Sequence, residues 1–467
     1  MVRPNDNSAA KEQGLHTNRD SETFPGAGPK CTNLSSGAQD QLMKVFGSTI
    51  GFSVLFFRAL YLSLWLCQAA LSAVAVEYFQ GIFILLALTL GLLASFLHMD
   101  MGLLTPLTQR SPKPPITHIM FLKTHKTASS TILNMLFRFT ETHNLSVALP
   151  EGQRLHLGYP WLFMARYVES GKPKGPGQRR HFHVMCNHLR FNLPEVQKVM
   201  PEGTFYFSIL RNPVFQLESS FIYYKDYAPA FQAPRNLSAF LASPETYYNE
   251  SVSLNNVYAR NNMWFDFGLD NNMWPEDSYV RKCIAEVEQN FQLILIADYF
   301  DESMVLLRHT LRWDLDDVVY FKLNSRSQQS ISRLTPQDQE LARKWSALDW
   351  RLYQHFNRTF WNRVHSELGL WRLRREVALL RARQRELMSL CVQDGEPKNK
   401  SQITDLQLKP YQSGKADILG YNLRPDLDNA MLQLCQRMVM PELQYMAHLY
   451  ALQFPHKRPK NIQFLKD

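Results

Sequence analysis

Hydrophobic and polar positions divide the chain into a polar head, an apolar middle and a long mixed body. Residues 1–48 are rich in Ser, Asn, Gly and charge, a pattern that predicts a disordered tail. An apolar run from Phe52 to Val76 carries one charge, Arg58, and sets residues 49–80 apart as a segment of open role. GIFILLALTLGLLASFLHM (81–99) then runs nineteen residues without a charged side chain, long enough to span a bilayer as a helix. Residues 100–116, with SPKPP, read as a stem. From Thr117 strand-like and helix-like stretches alternate. THIMFLK (117–123), TFYFSIL (204–210) and FQLILIADYF (291–300) are apolar runs of strand type. TILNMLFRF (131–139) and the VFQLESSFIYY that follows RNP have helical spacing. Strand–turn–helix units of this kind predict an α/β body with a parallel sheet flanked by helices over 117–450, followed by a C-terminal tail, 451–467. WRLRREVALLRARQREL (371–387) predicts a solvated amphipathic helix.

Composition narrows the function classes. The chain has 467 residues, 45% hydrophobic and 20% charged, enough for a sizeable core. A net charge of +9 points to anionic partners. The basic residues are scattered, with no long Lys/Arg tract, so nucleic acid is disfavoured. Six cysteines show no CxxC pair and no Cys/His metal spacing. Cys186, Cys283, Cys391 and Cys435 follow the apolar run and allow two disulfides in three connectivities. Five sequons, at Asn144, Asn236, Asn249, Asn357 and Asn399, also follow it and favour a luminal body. A second span through 52–76 would instead return the body to the cytosol.

Two stretches carry candidate chemistry, each at a strand end. In FLKTHKTASST (121–131) a strand enters at Phe121 and a helix leaves near Ser129. Free N–H groups and a positive dipole lie at such a helix start. Lys123 and Lys126 add charge, and Thr127, Ser129, Ser130 and Thr131 add hydroxyls, which together make a phosphate cradle. A surface turn capped by Ser and Thr would show the same hydroxyls. GxxxxGK[ST] is absent, so this is not a Walker A loop. In SILRNPVFQLESS (208–220), Arg211 stands at the strand edge, Pro213 opens the helix and Ser219 lies about two turns on. A surface ion pair is the plain alternative for Arg211. Together the loops fit a ligand with phosphates at both ends, such as a nucleotide bearing 5′ and 3′ phosphates.

KTHKTASST resembles the 5′-phosphosulfate loop of Golgi carbohydrate sulfotransferases, and LRNPVFQLESSF resembles their 3′-phosphate loop. The resemblance is closest to the galactose-3-O-sulfotransferase family. It extends through FHVMCNHLRFNLPEV (182–196), YARNNMWFDFG (258–268), YFDES (299–303), ILGYNL (418–423) and PELQYM (441–446). The resemblance implies a P-loop-like sulfotransferase fold behind a signal-anchor helix, in a single-pass type II protein of the Golgi membrane with a luminal catalytic domain. It implies 3′-phosphoadenosine 5′-phosphosulfate (PAPS) as donor and no metal. The implied acceptor is the 3-hydroxyl of terminal β-galactose on glycoprotein or glycolipid glycans of Galβ1-3/1-4GlcNAc type. Lys126 would sit on the 5′-phosphate, with Lys123, Thr127, Ser129, Ser130 and Thr131 lining that cradle. Arg211 and Ser219 would hold the 3′-phosphate. The sugar hydroxyl needs a base, which a neutral imidazole suits. His125 inside the donor loop is the expected base, and His188 in CNHLRF the acceptor-positioning residue. Tyr159, Trp161, Arg190, Tyr258, Arg260, Asn261 and Asp266 are candidates for acceptor recognition. The eighty residues ahead of the run at 81 depart from the short cytosolic tail that the resemblance implies. Two rivals stand beside this reading: a nucleotide-dependent kinase, which lacks its Walker A and magnesium motifs here, and a non-catalytic glycan-binding scaffold.

Overall fold

A computed structural model describes residues 83–91, 113–170 and 181–462. The chain divides into two compact units, residues 1–110 and 111–467. Of the first unit, residues 83–91 form a helix whose large apolar side chains, Ile84 and Leu85 among them, are exposed. The run 52–76 and the remainder of 81–99 lie outside the described residues. Among the described residues, no helix is long and apolar enough to cross a membrane.

In the second unit, four strands form one parallel sheet: β1 (Ile119–Leu122), β2 (Val184–Met185), β3 (Phe205–Leu210) and β4 (Leu293–Ile296), in the order β2-β1-β3-β4. Ile119 of β1 faces Val184 on one side and Phe205 on the other, and Leu210 of β3 faces Ile296. The IMFL of β1 shows no alternation because all four side chains are wholly buried, the mark of a strand covered on both faces. The two-residue β2 was not legible as a strand, since FHVMCNH offers too short an apolar run.

Helices connect and cover the strands. The chain continues through α1 (Ser129–Thr142), α2 (Pro213–Tyr223), α3 (Asn262–Asp266), α4 (Asp277–Asn290), α5 (Phe300–Leu311), α6 (Ala347–Arg363), α7 (Leu370–Cys391), α8 (Asn429–Val439) and α9 (Glu442–Gln453), with further helices, Pro336–Trp345 among them, and turns between. Helix α1 is buried from Ser129 to Thr140, because α8 and α9 return from the far end of the sequence to pack on it. Helix α7 is amphipathic as expected. Leu373, Val377, Leu380 and Leu387 face the core, while Arg381 and Arg383 pair with Asp301 and Asp316. One disulfide joins Cys391 at the end of α7 to Cys435 in α8, across 44 residues. Cys186 and Cys283 are buried free thiols, so the cysteines after the apolar run make one bridge rather than two. Residues 454–460 are also tied down. Phe454 is buried, and the Lys460 ammonium donates to the carbonyls of Pro150, Gly152 and Arg154.

Candidate active site

The loop between β1 and α1 is bound tightly to its neighbours. The Thr124 hydroxyl donates to the Ile209 carbonyl of β3, and the Ser129 hydroxyl donates back to the Thr124 carbonyl at 2.6 Å. Thr127 closes the turn through Thr124, 2.8 Å between hydroxyl oxygens. Lys126 and Ala128 both take left-handed backbone angles, φ 60° and 61°. Such a conformation is costly for residues with a Cβ and collects at functional turns. It turns the chain sharply enough for α1 to begin at Ser129 with its first N–H groups lacking helical partners.

The two loops singled out in the sequence meet. The Arg211 guanidinium donates to the Lys126 carbonyl at 3.1 Å, and the Gln216 amide of α2 donates to the His125 carbonyl at 3.1 Å. Asn212 caps α2 by accepting from Val214 N–H, and Pro213 occupies its first turn. Burial and the cations Arg326, Lys123 and Arg211 hold the Lys126 ammonium well below its ordinary pKa. Crowded cations of this kind mark a place built for an anion. The Lys126 ammonium also lies 3.5 Å from the centre of the Tyr223 ring.

Two histidine rings stack beside this loop, 3.8 Å between centres and 8° from parallel. Their hydrogen bonds assign them different tasks. His188 donates Nδ1–H to the Lys123 carbonyl at 2.8 Å, and its Nε2 accepts from the Lys123 ammonium at 2.7 Å. Both of its nitrogens are therefore committed. His125 places Nδ1 2.9 Å from the Asp266 carboxylate, and its backbone N–H donates to the same carboxylate at 2.8 Å. Its Nε2 has no hydrogen-bond partner among the described residues. Burial, then Lys123 and Lys126, holds the His125 pKa well below the ordinary value, so the imidazole is neutral at pH 7. Burial likewise lowers His188, with His125 and Lys123 adding to it.

Around the rings stand Tyr159, 4.4 Å from the His125 ring centre, then Tyr258 at 5.4 Å and Tyr224 at 6.2 Å. Burial raises the pKa of the Tyr159 and Tyr224 phenols, so both remain neutral hydroxyls. Glu442 at the start of α9 binds the Lys123 ammonium at 3.1 Å and accepts from the Ser130 hydroxyl at 2.9 Å. Burial alone would raise Glu442, but the Lys123 ammonium and the Ser130 hydroxyl outweigh it and lower its pKa.

The structure thus gathers Lys123, His125, Lys126, His188 and Arg211 at the ends of β1 and β3. Several hydroxyls of the loop are spent inside the protein. Thr127 and Ser129 staple the turn, Thr131 accepts from Leu323 N–H, and Ser130 holds Glu442. Ser219 is buried in α2. Of the acceptor candidates, Tyr159, Tyr258 and Asp266 surround His125. Asn261 and Arg190 instead serve the scaffold: Asn261 accepts from Leu348 and Asp349 N–H, and Arg190 donates to the carbonyls of Gly268 and Leu269. Arg260 packs over Trp345, and Trp161 is exposed. Glu442, Arg326 and His156 were not singled out in the sequence. His156 meets His188 edge-on at 5.5 Å, and burial drops its pKa to about 4. PELQYM carried the one available signal for Glu442.

A clamped pair of cationic loops around a neutral imidazole is the equipment of a group-transfer enzyme acting on an anionic donor. Comparison with known proteins identifies the class. The family profile named Galactose-3-O-sulfotransferase matches residues 64–453, and the chain belongs to that family as a sulfotransferase. It is 72% identical to galactose-3-O-sulfotransferase 2 of Sus scrofa over 383 residues, covering 82% of this chain and 96% of that protein. The protein of the same name from Homo sapiens is 68% identical, over 83% of this chain and 97% of its own length. Human galactosylceramide sulfotransferase is 40% identical over 341 residues, 72% of this chain and 79% of that protein.

Proposed function

We propose that the protein moves a sulfuryl group from PAPS to the 3-hydroxyl of terminal β-galactose on glycans, using the loop 123–131 as a P-loop-like phosphosulfate cradle. The observation that carries this reading is the clasp between Lys126 and Arg211. It sets two cationic strand-end loops side by side, as a donor phosphorylated at both ends requires. Lys126 and the N–H groups at the start of α1 would hold the 5′-phosphosulfate, and Arg211 with Ser219 the 3′-phosphate. PAPS supplies an activated S–O bond. The chain's part is to orient the ends of the donor, neutralise charge on the leaving phosphate through Lys126, and accept a proton. As the galactose oxygen bonds to sulfur, its proton passes to Nε2 of His125 and the bond from sulfur to the phosphate oxygen breaks. Tyr258 offers its hydroxyl and Tyr159 its ring to the sugar, and His188, locked to Lys123, braces the stacked ring.

The sequence run 81–99 supports a single-pass type II protein of the Golgi membrane with residues 111–467 in the lumen. The Cys391–Cys435 disulfide fits an oxidising compartment. Asn144, Asn236, Asn249 and Asn399 are exposed, whereas Asn357 lies within α6 with its side-chain oxygen buried. Glycopeptide mass spectrometry is expected to find glycans at some of the first four and none at Asn357. A wholly unglycosylated chain from secretory cells would contradict the luminal placement.

The activity test uses the full chain in detergent with 35S-labelled PAPS and galactose-terminated oligosaccharides. Label on galactose O3, lost in His125→Ala and Lys126→Ala, is expected. A folded protein that fails to bind the donor would overturn the reading.

A further inference from the structure

The environment of His125 contains a residue whose role differs from the sugar contact expected of it. Asp266 ends α3, a five-residue helix too short to be stable alone. Side chains from outside it hold it in place. The Asp349 carboxylate on α6 accepts from Trp264 N–H at 2.7 Å and Met263 N–H at 3.2 Å. Asn261 at its start accepts from the N–H groups of Leu348 and Asp349. This mounting delivers a wholly buried carboxylate to the Nδ1 edge of His125. One oxygen accepts the His125 backbone N–H, and both lie within 3.1 Å of Nδ1. Tyr159 also donates to Asp266, while the Tyr159 oxygen accepts from Asn262.

We propose that Asp266 is a positioning residue of the transfer reaction, which fixes His125 as its Nδ1–H tautomer so that the Nε2 lone pair is available for the acceptor proton. This rests on the reading of His125 as the base. Burial raises the Asp266 pKa, and the His125 N–H, Tyr159, Lys123 and Arg190 work against it. As a carboxylate, Asp266 accepts both the His125 backbone N–H and Nδ1–H; as a protonated carboxyl it would donate to a bare Nδ1 and leave the ring proton on Nε2, the outcome that the tautomer measurement below detects. A neutral imidazole facing a carboxylate through Nδ1 must carry its proton there. The same carboxylate then stabilises the imidazolium formed when Nε2 takes the sugar proton. His188 is the internal contrast: its Nε2 is blocked by Lys123, so its stacked ring cannot substitute.

The first arm of the test reads the tautomer in the wild-type full chain. It uses 15N-histidine NMR, with the His125 resonances assigned by their loss in His125→Asn. A protonated Nδ1 and a bare Nε2 are expected, and a protonated Nε2 would overturn the proposal. The second arm is kinetic. Asp266→Asn turns an amide NH2 toward Nδ1 and reverses the tautomer, so kcat is expected to fall about 10²–10⁴-fold. Donor affinity should stay within about threefold, and Asp266→Glu should recover part of the rate. In a His125→Ala background the Asp266→Asn loss should vanish, since the residues act as a unit. Undiminished kcat in Asp266→Asn, or a loss that persists in full without His125, would refute the positioning role while leaving the base intact. Full activity in His125→Ala alone would remove both.

Discussion

Two strand-to-helix turns lie side by side in this protein and solve the same geometric problem differently. The turn after β1 uses left-handed residues at Lys126 and Ala128 and inward hydroxyls from Thr124, Thr127 and Ser129. The turn after β3 uses an asparagine cap and a proline, with ordinary helix-start geometry. The first is strained and carries the proposed base, His125, and the proposed leaving-group cation, Lys126. The second is relaxed and offers one guanidinium, which reaches across to the first turn's carbonyl at Lys126. Under the proposed function the difference separates chemistry from grip: residues 123–128 would set the rate, and residues 211–219 would hold the far end of the donor.

This division can be broken by substitution. Lys126→Ala is expected to lower kcat about 10²–10³-fold, the scale of removing one preorganised charge at a leaving group. Arg211→Ala should act mainly on donor KM. Loss of a charge-assisted hydrogen bond of about 1.5–3 kcal/mol corresponds to roughly 10–150-fold. Steady-state kinetics with varied donor separates the two, and a rate effect for Arg211 as large as that for Lys126 would dissolve the comparison.

The pH profile sharpens it. His125 is lowered below 6.5 by burial and by Lys123 and Lys126, with Glu442 opposing. Its competent neutral form therefore persists on acidification, and kcat/KM should fall only below pH 6.5. Lys126, lowered below 10.5, loses its charge as pH rises, which puts the alkaline limb of kcat/KM below pH 10.5. An acid limb above pH 7 would contradict the environment described for His125.

The smallest effects concern the turns themselves. Asn212→Ala removes a helix cap and should cost about 1 kcal/mol of stability by thermal unfolding. Ala128→Gly relieves a left-handed alanine and should add about 0.5–1 kcal/mol. Destabilisation by Ala128→Gly would mean that the strain assigned to the first turn is absent.

Much of this was legible in the sequence. IMFL and LILI are wholly buried and FYFSIL nearly so, so their apolar runs, broken only by Ser208, stood out, and basic residues lie just past the first two. Elements defined by distant partners were not legible. Asp266 meets His125 across 141 residues and Glu442 meets Ser130 across 312, spacings at which no local pattern operates. The loop hydroxyls read as ligand donors because Ser and Thr serve anions and turns alike, and only the fold shows Thr127 and Ser129 turned inward. Four cysteines offered three pairings, and burial of Cys186 and Cys283 as free thiols reduced them to one bridge.

The most direct test of the two-loop account is a calorimetric titration of the full chain with adenosine 3′,5′-bisphosphate and with adenosine 5′-monophosphate. The wild type should prefer the bisphosphate by about 10–150-fold, Lys126→Ala should keep that preference, and Arg211→Ala should lose it. An Arg211→Ala protein that still discriminates between the two nucleotides would contradict the assignment of the 3′-phosphate to the second loop.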